Sequence, residues 1–196
     1  MTMKKIKPKA GQESVWDYPR PPRLDKFNGH IRIVFNKIII LDTNEAFRIV
    51  ETSHPPTYYL PIRDFHDGVL QKAAGISFCE FKGSARYYDI ILKGKSALRA
   101  AWQYPNARGA YATIKDCVAV YAHLMDTCFV NDEPVKAQEG DFYGGWITSN
   151  IVGPFKGARE PGAGNVCITP EELLIRTYPL SGMPLMLYLI HGPGYC

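Results

Sequence analysis

The chain has 196 residues, 46% of them apolar, 21% charged and 12% aromatic, which is close to the globular average except for the aromatics. No run approaches the ~20 consecutive apolar residues that cross a bilayer as a helix, and this excludes a helical membrane protein. The net charge of +4 sits in one place: Lys4, Lys5, Lys7 and Lys9 precede any acid, and the other 19 basic residues balance 19 acids.

A nucleic-acid binder carries its excess charge on the folded region, where it neutralises phosphates in a fixed register. Neither nucleic acid nor a membrane is therefore an expected partner. Residues 1–12 read as a disordered basic stub. They lack the apolar core of a secretory signal, since Pro8, Gly11, Gln12 and Glu13 follow the lysines directly. The five cysteines, Cys79, Cys117, Cys128, Cys167 and Cys196, contain no C-x-x-C pair. Structural zinc is usually held by closely spaced ligand pairs, so no metal is expected, nor any other cofactor. An odd cysteine count without an export signal reads as reduced thiols in the cytoplasm.

Along the chain, Trp16-Asp17-Tyr18-Pro19 returns 86 residues later as Trp102-Gln103-Tyr104-Pro105. The same offset sets Ile31–Phe35 over Cys117–Tyr121. Two related β units or convergent use of one turn both account for this. Ile31 to Leu41 is rich in β-branched residues and broken at Asn36-Lys37, which predicts a hairpin without the favoured glycine. Ala46 to Thr52 and Tyr58 to Leu60 are strands on either side of Pro55-Pro56. Arg63 to Ala74 is the best short helix, with Gly75 as its stop. Phe78 to Leu92 holds two strands around Gly83. Residues 113–129 mix helical and strand spacing, and the repeat tips them toward strand. Asn131-Asp132 supplies the turn of a further hairpin. The fold class is mainly β, α+β at most: a small barrel or two packed sheets with a short helical insert.

Three features bear on chemistry. In Thr52-Ser53-His54-Pro55-Pro56 the diproline fixes an extended backbone that aims His54 from a rigid loop, where an imidazole can act as acid, base or ligand donor, or merely cap the backbone. Strand alternation over Cys79-Glu80-Phe81-Lys82 puts Glu80 and Lys82 on one face and Cys79 on the other. Lys82 suits an anion, whereas Cys79 is a buried structural thiol or a nucleophile needing His54 as its base. The aromatic set, including Tyr58, Tyr59, Tyr87, Tyr88, Trp102, Tyr104, Phe142, Tyr143 and Trp146, lines a ligand pocket or forms the core. Asp141 precedes Gly144-Gly145-Trp146, which has neither phosphate-loop spacing nor a following helix.

Glu13 to Pro22, Glu51 to Tyr59, Cys79 to Gly83, Trp102 to Pro105, and Gly140 to Trp146 with Gly153-Pro154-Phe155-Lys156-Gly157 together resemble the domain-of-unknown-function 427 family. The likeness spans roughly residues 13–157. It implies a compact β-tent-like domain similar to zinc-binding relatives such as methionine-R-sulfoxide reductase, whose cysteine pairs are absent here. The family has no established activity. Some members are labelled nucleotidyltransferase-like, a chemistry that needs acids at D-x-[DE] spacing for magnesium, whereas Gly83-Ser84 is followed by the single acid Asp89. Residues 158–196 depart from the family as an atypical extension, in which Pro170 to Arg176 is a short helix.

The expectation is a metal-free β domain over 13–157 that binds a small anionic or aromatic ligand, with His54, Tyr58, Tyr59, Lys82, Tyr88, Trp102 and Tyr104 as its contacts. The alternatives are a small-molecule enzyme using His54 or Cys79, and an interaction module that docks a protein partner.

Overall fold

A computed structural model describes residues 5–140 and 143–157. The early strands are β1 (Glu13–Ser14), β2 (Arg23–Phe27), β3 (Ile31–Phe35), β4 (Ile38–Thr43), β5 (Ala46–Glu51) and β6 (His54–Pro61). A long meander follows: β7 (Leu70–Cys79), β8 (Gly83–Leu92) and β9 (Lys95–Gln103). The remainder are β10 (Cys117–Val120), β11 (Thr127–Val130), β12 (Glu133–Pro134), β13 (Lys136–Ala137), β14 (Trp146–Ile147) and β15 (Ile151–Val152). The domain is mainly β, with several sheets and no closed barrel among the described residues. Seven strands form one sheet in the order β2-β5-β6-β10-β9-β8-β7, and four form a second in the order β12-β11-β3-β4. Two ribbons, β1-β15 and β13-β14, complete the set.

Period-2 alternation gives each strand two distinct faces. Val118 and Val120 of β10 enter the main core, where Ile31, Ile33 and Phe35 of β3 meet Leu60 and Ile90 across the two sheets. Each such side chain contributes roughly 1.5–3 kcal/mol on burial. Cys117 and Ala119, one residue out of phase, lie with Tyr59, Ala85, Trp102 and Tyr104 on the opposite face of the large sheet. That face is partly covered by Tyr111 and Ile114 of the 3-10 segment Gly109–Asp116. The large sheet is thus apolar on both sides, and its second side carries the candidate site.

Both short hairpins form as the turn residues predict. Asn36 and Lys37 adopt φ of 51° and 61°, and Asn131 and Asp132 adopt 49° and 65°. These left-handed pairs match the twist of the flanking strands. The helix expected over Arg63 to Ala74 is absent. Only Ile62–Asp64 makes a 3-10 turn, and Leu70–Cys79 is a strand. Gly75 ends no helix but sits at φ 96° where the β7/β8 register slips between Ala73 and Ile76, and a bulge needs just this freedom.

Pro55 and Pro56 lie inside β6 rather than in a loop before it. Proline cannot donate to a ladder, and the β5/β6 register slips between Ile49 and Glu51. The two tryptophan elbows are not equivalent either. Trp16 follows β1 in a turn, with its indole donating to the Pro154 carbonyl at 2.9 Å, whereas Trp102 is a β9 residue paired with Ala119. The strands that the offset aligns, β3 and β10, belong to different sheets.

In the stub, Ile6 N–H donates to Gly153 and the Gln12 side chain donates to Ser149. Asp141, Phe142 and the extension over 158–196, with its expected helix, Cys167 and Cys196, lie outside the described residues.

Candidate functional site

A cleft of about 530 Å³ opens on the second face of the large sheet. Its floor comes from neighbouring strands: Thr57 and Tyr59 of β6, Trp102 of β9 and Tyr87 of β8. Tyr104, just past β9, and Tyr121, just past β10, extend it, and Tyr121 stacks on Trp102 with ring centroids 4.5 Å apart. Tyr59 and Tyr104 are 6.4 Å apart. Burial pushes the Tyr121 hydroxyl up to about 12 and those of Tyr59 and Tyr104 well above their ordinary range, so all three stay neutral.

The far wall is the segment leading into β14. A Cβ on Gly144 would lie 2.1 Å from the Trp102 ring, and one on Gly145 would lie 2.4 Å from Gln138 and 2.9 Å from the Pro55 carbonyl. The Gly144-Gly145 pair is therefore a close-approach device that lets this segment lie against the indole. Trp146 itself is core, its indole donating to the Val120 carbonyl at 3.0 Å.

Polar groups ring the mouth. His54 is half-buried, its Nδ1–H donates to the Thr52 carbonyl at 2.9 Å, and its ring lies 5.0 Å from that of Tyr143. Burial lowers its pKa below the ordinary imidazole value. The neutral ring therefore keeps a lone pair on Nε2. Arg20 bridges the two rim acids, 2.6 Å from Glu51 and 2.7 Å from Glu80, with its guanidinium over the Phe81 ring. Lys82 carries its ammonium 5.4 Å from the Tyr104 ring centroid and pairs with no carboxylate among the described residues.

The family model for the domain of unknown function 427 (DUF427) matches residues 23–131. The chain belongs to this family. No curated protein matches it significantly. In this DUF427 domain the matched segment supplies His54, Tyr59, Lys82, Trp102, Tyr104 and Tyr121 of the cleft, while Tyr143 and Gly144 follow it.

Of the seven residues expected as contacts, His54, Tyr59, Lys82, Trp102 and Tyr104 line this one cleft. Tyr58 and Tyr88 do not, because each projects from the other face of its strand. Tyr58 packs on Phe27 and Trp146, and Tyr88 donates to Gln103 at 2.6 Å within the main core. Cys79 and Lys82, expected on opposite faces, both reach the cleft. The strand ends at Cys79, and Glu80-Phe81-Lys82 is a turn to which alternation does not apply. Sequence reasoning missed Tyr121 and Gln138. Tyr121 stands under Phe35 in the repeat alignment, a weak signal, and Gln138 had none. Among the described residues no group of three or more His, Cys, Asp or Glu is placed to hold a metal ion, and no helix is long and apolar enough to cross a membrane.

Proposed function

We propose that this domain binds a small, flat aromatic ligand bearing one negative charge, seated against Trp102, Tyr104 and Tyr121 with its acid toward Lys82 and His54. The carrying observation is the charge arrangement at an aromatic cleft of ligand size. Arg20 is shared between the two rim acids, and Lys82, the one lysine or arginine lining the cleft, pairs with no carboxylate among the described residues. A planar ring gains stacking and apolar burial on the floor. A carboxylate gains a charge-assisted contact at the rim, and neutral His54 can accept one further hydrogen. The three thiols Cys79, Cys117 and Cys128 are free, which supports residence in a reducing compartment such as the cytoplasm.

Trp102 is a built-in reporter. Fluorescence and calorimetric titrations of the full chain with benzoate and indole-3-carboxylate are expected to saturate, whereas benzamide binds roughly ten- to a hundredfold more weakly, the worth of one charged hydrogen bond. Lys82→Met is expected to erase that difference. If neither acid binds, or if amide and acid bind alike to the unaltered protein, the reading fails. Native mass spectrometry of protein purified gently from its own cells would identify the retained molecule.

A second reading is supported by the presence of His54 and Cys79 in one cleft: an enzyme using the imidazole as acid or base, or the thiol as nucleophile. Once a ligand is known, His54→Gln or Cys79→Ser should abolish its conversion while leaving it bound. Conversion at the unaltered rate in both would remove that reading.

A further inference from the structure

A second cavity, of about 580 Å³, lies on the other side of the same two strands. Arg48 of β5 and Tyr58 of β6 are cross-strand partners facing it, while Ile49 and Thr57, the next pair, face the aromatic cleft. The two cavities share strands but no side chain, so occupancy of this one is independent of the aromatic acid proposed for the cleft.

Its walls carry both signs of charge; Glu13 and Asp25 are ion-paired, and Glu133 is hydrogen-bonded. Arg48 lies 3.0 Å from Glu13 and 3.7 Å from Asp25. The other Glu13 oxygen accepts from the Tyr18 hydroxyl at 3.0 Å, and Asp25 is also held by Arg23 at 2.8 Å. Glu133 accepts from the Ser149 N–H at 2.6 Å and from its hydroxyl at 3.0 Å. An anion entering here meets three carboxylates, and a cation meets Arg48 and Lys26. An ion of either sign thus meets like charge as well as opposite charge, which works against repaying its lost hydration.

Neutral hydrogen-bonding capacity is what remains. Asn131 Oδ1 accepts from the His30 N–H at 2.9 Å, and Asn150 Oδ1 accepts from the Thr148 hydroxyl at 2.6 Å, so both amide NH₂ groups are left to donate. The carboxylates keep lone pairs to accept. Tyr58 is the independent sign of a ligand. The residue is only 3% exposed, and its hydroxyl makes no hydrogen bond among the described residues. No enclosed side-chain oxygen or nitrogen there lacks a partner, so this oxygen opens into the cavity. Burial pushes its pKa up to about 12, and it stays a hydroxyl able both to donate and to accept.

We infer that this cavity is a binding site for a neutral polyhydroxylated ligand, of the chemical class of a monosaccharide or cyclitol. Planar carboxylates and amides engage neighbouring hydroxyls of such a ligand in pairs, and the Phe27–Tyr58 edge meets its C–H face.

The test is a backbone-amide NMR titration of the full chain with D-glucose, D-galactose, D-ribose and myo-inositol. At least one is expected to shift the amides around Arg48, Asn131 and Asn150 saturably, without moving the Trp102 indole signal. Tyr58→Phe removes one oxygen that no described group bonds, so the fold is kept. It is expected to weaken the best of these ligands roughly two- to tenfold, the worth of a single neutral hydrogen bond. The proposal is overturned if none of the four moves those amides at concentrations on the order of 0.1 M, far above a ~1 mM dissociation constant. It is equally overturned if Tyr58→Phe binds as tightly as the unaltered chain, or if acetate or guanidinium occupies the cavity in preference to all four.

Discussion

Gly144 and Trp102 are packed so closely that a Cβ on the glycine would lie 2.1 Å from the indole Cη2 and 2.8 Å from Cζ3. Trp102 cannot yield easily, because Tyr121 stacks against it at 4.5 Å and β9 is paired on both sides. Gly144→Ala is therefore an overpacking substitution, expected to cost about 1–3 kcal/mol. It also displaces the indole that floors the cleft. Urea unfolding and the Trp102 emission maximum should both move. An unchanged midpoint with an unchanged spectrum would show that the glycine segment does not rest on the ring.

The imidazole of His54 gives a pH prediction. Burial lowers its pKa below the ordinary value of 6.5, opposed by its bond to Thr52 and by Glu51. The unfolded chain then binds the proton more readily than the folded one, so this group's contribution to stability is complete above pH 6.5 and is lost as pH falls through the folded value. Nitrogen-15 titration of the ring should give a midpoint below 6.5 with the proton on Nδ1 at neutral pH. A midpoint above 6.5, or the Nε2–H tautomer, would contradict the environment described.

The thiols should separate by reactivity. Burial pushes Cys117 up to about 11 and Cys128 further still, and both are almost fully enclosed, whereas Cys79 is only partly buried and lines the cleft. Only the thiolate attacks an alkylating agent. With iodoacetamide at pH 8, peptide mapping should find Cys79 labelled well before Cys117 and Cys128. Equal labelling of the three in the native protein would mean that the enclosed pair is accessible.

What could be read from the chain and what could not divides along the reach of the interactions involved. Asn36-Lys37 and Asn131-Asp132 announce their hairpins because a turn is settled by residues next to each other. The apolar runs announce strands but not which face meets which sheet. Choosing Tyr59 over Tyr58 for the cleft required knowing that β6 is central and apolar on both sides, which removes the polar alternation that would have marked an inner face. Arg63 to Ala74 misled because His66-Asp67-Gly68 breaks the apparent helix, and the long pairing of β7 with β8 outweighs local preference. The second cavity was illegible for a different reason. Glu13, Asp25, Arg48 and Glu133 come from four separate parts of the chain, and nothing at their positions distinguishes them from solvated surface charges.

The β3–β4 turn offers a test of backbone reasoning alone. Lys37 sits at φ 61°, a region that costs an ordinary L-residue roughly 1 kcal/mol and costs glycine almost nothing. Its backbone N–H donates to Asp126 at 2.7 Å, a bond that glycine keeps, and the ion pair to Asp126 is made by Lys95 rather than by Lys37. Lys37→Gly produces the Asn-Gly pair that such turns favour. Against the strain relieved stands the larger conformational entropy of glycine in the unfolded chain, worth about 0.4–1 kcal/mol. The two nearly cancel, so the expected urea midpoint is unchanged or slightly raised. Lys37→Ala keeps the strain and loses nothing that the lysine side chain bonds, and it should also match the unaltered chain. Lys37→Val places a β-branched side chain in the left-handed region and should cost about 1 kcal/mol or more. If the valine variant unfolds at the same urea concentration as the glycine variant, the turn does not hold residue 37 in that conformation.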